Sequence, residues 1–262
     1  MKPRLSQISK GVIGLFMLLF VVSCKKEAKE KEEQLTFSEY QQSGKASGLT
    51  TNGSFPSSSG SVLLTGIDEV RLLPIYKIDP KANRDIQNEY GTTYYDRYYY
   101  DNTELEENYK YFMPGIDIIY GYNLINIGHY SLINEQMTYF FDHPVLIRTL
   151  YFPGIRRDTL GTQPMLRDYF MVSVYDEDTN RDSLINTRDM RRMYHIDQMN
   201  TTKTSLLPTE YSALRSTYDY KNDLMYIYAR YDENNDGTPE HKEPVVVFWI
   251  RLSEPVVVRQ MK

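Results

Sequence analysis

Cysteine and tryptophan each occur once in this chain, as Cys24 and Trp249. A single thiol excludes an internal disulfide or a dithiol redox centre, so the folded part has to be stabilised by apolar burial or by bound ions. Histidine is scarce as well, at four residues. His129 and His143 have no second histidine or carboxylate at metal-ligand spacing, and both read as structural. The chain has no nucleophile elbow, no HExxH and no phosphate-binding P-loop. A hydrolase reading therefore rests on scattered carboxylates such as Asp117 and Asp142, and the chain reads as non-enzymatic. Excess positive charge is missing too: the formal net charge is −5, the wrong sign for a protein that binds phosphate backbones, so a nucleic-acid partner is excluded. The apolar run Gly11 to Val22 is too short for a comfortable membrane span.

What is present begins with a targeting segment. Lys2, Arg4 and Lys10 form a basic region ahead of that apolar run, and Val21-Val22-Ser23-Cys24 follows it directly. These four residues resemble the lipobox of bacterial lipoproteins, which implies cleavage before Cys24 and lipidation of its thiol. An ordinary secretory peptide is the alternative. Removal of residues 1–23 takes away three positive charges and no negative ones, moving the net charge to about −8. Lys25 to Gln34 is a charged run, and Ser38 to Gly60 is rich in Ser, Gly and Thr. Neither offers a buried face, so residues 24–60 are expected to carry the lipid and a flexible linker, and residues 61–262 the folded domain. Lys25-Lys26-Glu27 resembles the charged export signals that follow the lipidated cysteine in surface lipoproteins of the Bacteroidota. That resemblance implies a lipid-anchored outer-membrane protein displayed on the cell surface; a plain solvated linker is the other reading.

The aromatic content, 24 Tyr and 10 Phe, favours strands, where such side chains suit a half-buried pleated surface. The expected fold is mainly β with little helix. Runs such as Ile116 to Tyr122, Asn123 to Leu132, Met137 to Phe141 and Val145 to Phe152 are separated by turn residues and predict an antiparallel meander. Pro74 argues against a central strand in the Glu69 to Ile78 run. Thr103 with Glu106 three residues on predicts a short capped helical turn. Between Asp85 and Tyr111 tyrosines are dense, and Tyr94, Tyr95, Tyr98, Tyr99 and Tyr100 are candidates for an aromatic surface that stacks on a glycan or anchors an envelope protein. The alternative is that they cover a β core with their hydroxyls at the rim.

The most specific pattern is Asp232 to Glu243, which fits the calcium-loop spacing D-x-[DN]-x-[DN]-G-x5-E. Calcium takes six to eight oxygens. Asp232, Asn234 and Asp236 supply them at alternate residues, Thr238 through its carbonyl, Glu240 directly or through water, and Glu243 as a bidentate carboxylate, while Gly237 permits the sharp turn. A second loop begins 54 residues earlier, at Asp178. Asp178, Asn180, Asp182, Leu184 through its carbonyl, Asn186 and Asp189 hold the equivalent places. Ser183 stands where glycine is usual, and Asp189 where glutamate is. Asp at the last place resembles dockerin loops, so two calcium ions are expected. Hairpin loops that are acidic only because Asn, Asp and Gly suit turns are the alternative.

Strand-like runs flank both loops, so each unit reads as strand, loop, strand rather than a helical EF-hand, over about residues 168–197 and 222–251. Repeated hairpins of this kind resemble the blades of TolB-like propellers and calcium-loop lipoproteins of the Bacteroidota. That resemblance implies either propeller-like blades or a compact sandwich. The functional expectation is a calcium-stabilised, membrane-tethered envelope lipoprotein that provides a binding or assembly surface. A glycan-binding accessory protein is the second reading.

Overall fold

Alternation of apolar and polar residues forms strands throughout, and the computed structural model contains no helix among the described residues, which are 33–36, 57–78, 93–94 (backbone only) and 113–262. The strands run β1 (Gln34–Thr36), β2 (Ser57–Ser59), β3 (Leu63–Leu64), β4 (Val70–Lys77), β5 (Thr93–Tyr94), β6 (Ile116–Tyr120), β7 (Leu124–Ser131), β8 (Gln136–Tyr139) and β9 (Leu146–Pro153). The chain continues through β10 (Asp158–Leu160), β11 (Gln163–Met165), β12 (Tyr169–Tyr175), β13 (Leu184–Asn186), β14 (Arg192–Asp197) and β15 (Lys203–Ser205). It ends with β16 (Tyr211–Asp219), β17 (Leu224–Tyr231), β18 (Val245–Arg251) and β19 (Glu254–Gln260). The fold is mainly β, as its aromatic and β-branched content requires, and the strand pairs described are antiparallel.

A six-stranded sheet, in the order β15-β14-β12-β9-β6-β5, forms the middle of the molecule. Its strand β12, Tyr169 to Tyr175, is buried at every residue, which requires cover on both faces. On one side Phe152, Phe170, Val172 and Ile196 pack with Leu72, Leu124 and Ile127 from the sheet containing β4 and β7. On the other, Tyr151, Met171 and Met193 pack with Met225, Ile227, Phe248 and Ile250 from the meander β16-β17-β18-β19. The repeated hairpins are thus β12 with β14 and β17 with β18, in two different sheets that face each other across a shared core. Their ladders differ by one residue in register: Val174 faces Arg192, whereas Tyr228, the equivalent of Val174, faces Val247.

Two expectations change here. Pro74 lies in β4, which has neighbours on both sides, not at a sheet edge. The reason is local: β2 pairs with residues 75–77 and β3 with residues 71–72, leaving a break in the partner strand opposite Pro74. The Pro74 carbonyl accepts from Gly60 N across that break at 2.8 Å, and the nitrogen that cannot donate points the same way, so no ladder bond is lost.

The second change is that the folded unit starts before Ser61. Within the expected linker, Ser57–Ser59 pairs with β4, and Gln34–Thr36 pairs with β13. Leu35 is fully buried against Ile125, Leu146 and Ile185. Leu35→Ala is therefore expected to destabilise the protein by about 2 kcal/mol, the low end for deleting a buried leucine side chain from a short terminal strand; urea unfolding would measure it. Residues 1–23, Cys24, the capped turn at Thr103, and Tyr95, Tyr98, Tyr99 and Tyr100 lie outside the described residues. Of Tyr94 the backbone alone is described, paired with Ile119.

Candidate functional site

The two acidic loops join strands whose registers end where each loop begins. In the first, β12 and β14 enclose residues 176–191; in the second, β17 and β18 enclose residues 232–244. Hairpin connections of this length have few strand partners of their own and need side chains to receive their backbone N–H groups.

Both loops answer that need with the same hydrogen-bond scheme. At the first place, Asp232 accepts from Asp236 N (3.2 Å) and Gly237 N (2.9 Å), and Asp178 accepts from Asp182 N (3.0 Å) and Ser183 N (3.0 Å). At the third place, Asn234 Oδ1 also receives Asp236 N and Asn180 Oδ1 also receives Asp182 N. At the fifth, Asp236 receives Thr238 N at 2.8 Å and Asp182 receives Leu184 N at 3.0 Å. The last carboxylate closes each loop. Glu243 spans Glu233 N (3.1 Å) and Glu240 N (2.8 Å), and Asp189 spans Thr179 N (2.9 Å) and Asn186 N (2.8 Å). Asp189 thus reaches the same two places as the longer Glu243. Its departure from the usual residue does not open the loop.

The backbone agrees with the side chains. Arg181 and Asn235 at the fourth place, and Ser183 and Gly237 at the sixth, are left-handed, with φ of 61°, 57°, 67° and 77°. Ser183 adopts the turn that its side chain disfavours, and it is exposed, so it meets the strain of the conformation alone. Gly237 faces more than that. A Cβ there would lie 2.1 Å from the carbonyl oxygen of Thr179 in the other loop, and Thr179 Oγ1 donates to Gly237 O at 2.6 Å while accepting from Met190 N at 2.8 Å. The loops of the two sheets touch at this point.

The charges are partly withdrawn from water. Asp189 is fully buried, and Asp232 and Glu243 nearly so. Burial pushes the Asp189 carboxyl up from its ordinary value, with the neighbouring charge of Asp178 acting in the same direction against three main-chain N–H groups that lower it. Among the described residues no group of three acidic, cysteine or histidine side chains is placed to hold a metal by itself. Each loop instead turns three carboxylates and an asparagine oxygen onto its own main-chain N–H groups, hard oxygen donors of the kind that suits calcium. Asn186 Oδ1 likewise receives a main-chain N–H, from Arg188 at 2.8 Å, and its Nδ2 has no partner among the described residues.

His129 and His143 sit apart from the loops. His129 is buried, with Nε2 2.8 Å from Gln198 O and its ring against Phe140 and Phe170. His143 Nδ1 lies 2.5 Å from Asp142. Sequence reasoning had no sign that the two loops would meet, since Thr179 and Gly237 are unremarkable within their own loops. No protein-family model matches the chain, and no curated protein matches it.

Proposed function

We propose that this chain is a calcium-binding, non-enzymatic envelope lipoprotein, anchored through lipid on Cys24, whose two hairpin loops each hold one calcium ion as a structural tie. The observation that carries the reading is the repetition of one hydrogen-bond scheme in both loops, with the same places left-handed and the same carboxylates turned inward. Asp232, Asn234, Asp236, Glu243 and the Thr238 carbonyl would serve the second ion, with Glu240 direct or through water. Asp178, Asn180, Asp182, Asp189 and the Leu184 carbonyl would serve the first. Asn186, whose oxygen receives a main-chain N–H as those of Asn180 and Asn234 do, would serve the first ion directly or through water. Loops of opposed sheets that touch at Thr179 and Gly237 would then be ordered together, presenting a rigid surface to a partner in the envelope.

The test is thermal unfolding of the full chain in detergent, with about 10 mM calcium or with chelator. For extracellular-type sites, with dissociation constants of about 0.1–1 mM, two occupied loops should raise Tm by about 10 °C. Asp236→Ala and Asp182→Ala should each remove about half of the rise, and the double variant all of it. Identical melting of the wild-type chain in calcium and in chelator would sink the proposal.

A further inference from the structure

Between the central sheet and the β16–β19 meander lies a cavity of about 390 Å³. Three arginines line it, Arg148 from β9, Arg191 from the segment before β14, and Arg215 from β16, and among the described residues lining it none is Asp or Glu. In a chain whose net charge is −5, that is a local reversal of sign. None of the three arginines forms an ion pair among the described residues. Glu33 senses the charge of Arg148 but makes no ion pair with it.

Backbone irregularities bring the arginines there. In the β9–β12 ladder, Ser173 pairs with Thr149 and Val174 with Ile147, so Arg148 is an extra, unpaired residue. In the β16–β17 ladder, Ala213 pairs with Ala229 and Arg215 with Tyr228, so Leu214 is extra. Two bulges therefore border one cavity. Bulges re-aim side chains and gather beside sites. The second also turns the Ala213 and Leu214 carbonyls toward Arg191, whose Nε and Nη2 donate to them. Arg191 is thus held in place by neutral oxygens, which fix its fork and leave its charge unneutralised. Arg215 borders the cavity, but its guanidinium stacks on the Tyr228 ring, Cζ 3.8 Å from the centroid, on the face of the meander opposite Ser216, so it does not supply charge to the interior.

The rest of the lining is hydroxyls and apolar wall. Tyr151 OH lies 3.1 Å from Ser216 Oγ, with Thr149 and Ser173 beside them on the central sheet. Met193, Met225 and Ile227 close the interior. Convergent hydroxyl groups, unpaired guanidinium charge and an apolar floor, in a volume at the lower end for small-molecule sites, fit a compact hydroxylated anion.

We infer that this cavity is a binding site for an acidic sugar unit, its carboxylate or phosphate held by Arg148 and Arg191 and its hydroxyls by Tyr151 and Ser216. Burial pushes the Tyr151 phenol up to about 12, so it remains a hydrogen-bond donor across the physiological range. The inference does not rest on the calcium reading, because none of the proposed calcium ligands lines the cavity.

Titration calorimetry of the full chain with glucuronate, glucose 6-phosphate, glucose and inorganic phosphate tests it. At least one of the two acidic sugars should bind, more tightly than either glucose or inorganic phosphate, and whichever binds identifies carboxylate or phosphate as the anion. Arg148→Ala, at an exposed position, should weaken that binding about tenfold with Tm unchanged, the loss typical of one charge-assisted contact. The inference is overturned if neither acidic sugar binds at about 10 mM, a working ceiling more than a thousandfold above a micromolar affinity. Glucose or inorganic phosphate binding as tightly as the acidic sugar also overturns it, as does an Arg148→Ala variant that binds like the wild type.

Discussion

Gly237→Ala is expected to destabilise the protein by about 2–5 kcal/mol, more than any other single-methyl addition at the loops. Two terms combine. An L residue in the left-handed region at this place costs about 1–2 kcal/mol, and the added carbon would stand 2.1 Å from the Thr179 carbonyl oxygen and 2.5 Å from its carbon. That neighbour is backbone, held by Thr179 N donating to Asp189 and Thr179 Oγ1 donating to Gly237 O, so it cannot swing aside as a side-chain tip would. Overpacking against fixed backbone adds about 1–3 kcal/mol. The loops would separate, and the variant should lose calcium-dependent stabilisation in both, although only the second carries the substitution. Ser183→Gly is the matched control. It relieves a left-handed serine with open solvent beside it, so the expected change is a gain of about 0.5 kcal/mol, the relief of strain less the larger chain entropy of glycine in the unfolded state. Urea midpoints of the two variants decide it. Equal and small effects from both would mean that the loops do not bear on each other.

That asymmetry shows what could and could not be seen beforehand. The spacing of Asp178, Asn180 and Asp182, and of Asp232, Asn234 and Asp236, is local information, since each loop folds around its own side chains, and the scheme was legible in the sequence. The strands were legible for the same reason: β7, β9, β12 and β17 are long runs of apolar and β-branched residues between turn residues. Why the sixth place is glycine in one loop and serine in the other was not legible. The answer lies in which loop turns its bend toward the other sheet, a tertiary fact.

The three-residue strand at Leu35 was hidden by its surroundings. Its neighbours are charged or Ser/Gly-rich, and three residues are too few to show an alternation. Pro74 misled because the rule concerns the missing N–H, and here that vacancy faces a break between two short partners. The arginine-lined cavity left no mark at all. Arg148 and Arg191 are far apart in sequence and meet beside two bulges, and a bulge is a property of a pair of strands.

Asp223→Ala is the second large expected effect, about 3–5 kcal/mol, the range for removing one partner of a buried ion pair. Arg167, just before β12, presents Nη2 and Nη1 to Asp223 Oδ1 and Oδ2 at 2.7 and 3.2 Å, with side-chain exposures of 1% and 9%. Tyr218 OH donates to the same carboxylate at 2.9 Å, and Leu252 N donates to the Asp223 carbonyl at 3.0 Å. Asp223 also sits at φ 54°, a conformation that Asp and Asn tolerate better than Ala. The residue therefore joins the start of β12 in the central sheet to the β16–β17 and β18–β19 turns of the facing meander. Removing the carboxylate leaves the guanidinium buried with one long hydrogen bond, 3.3 Å to Pro114 O, and no countercharge. Asp223→Asn keeps the backbone preference and one acceptor, so its loss should be smaller. Arg167→Met combined with Asp223→Asn removes both charges and should recover part of the Asp223→Ala loss, because the largest penalty is the unpaired buried charge rather than the absence of the pair. Being buried, the pair should also resist salt: the gap between wild type and Asp223→Ala should be the same in 0.1 M and 1 M sodium chloride, concentrations that bracket strong screening of exposed charges. A gap that closes in high salt would mean that Arg167 reaches water in the variant. The join between the two sheets would then rest on the remaining contacts of their shared core, among them Tyr169, Met171 and Met225.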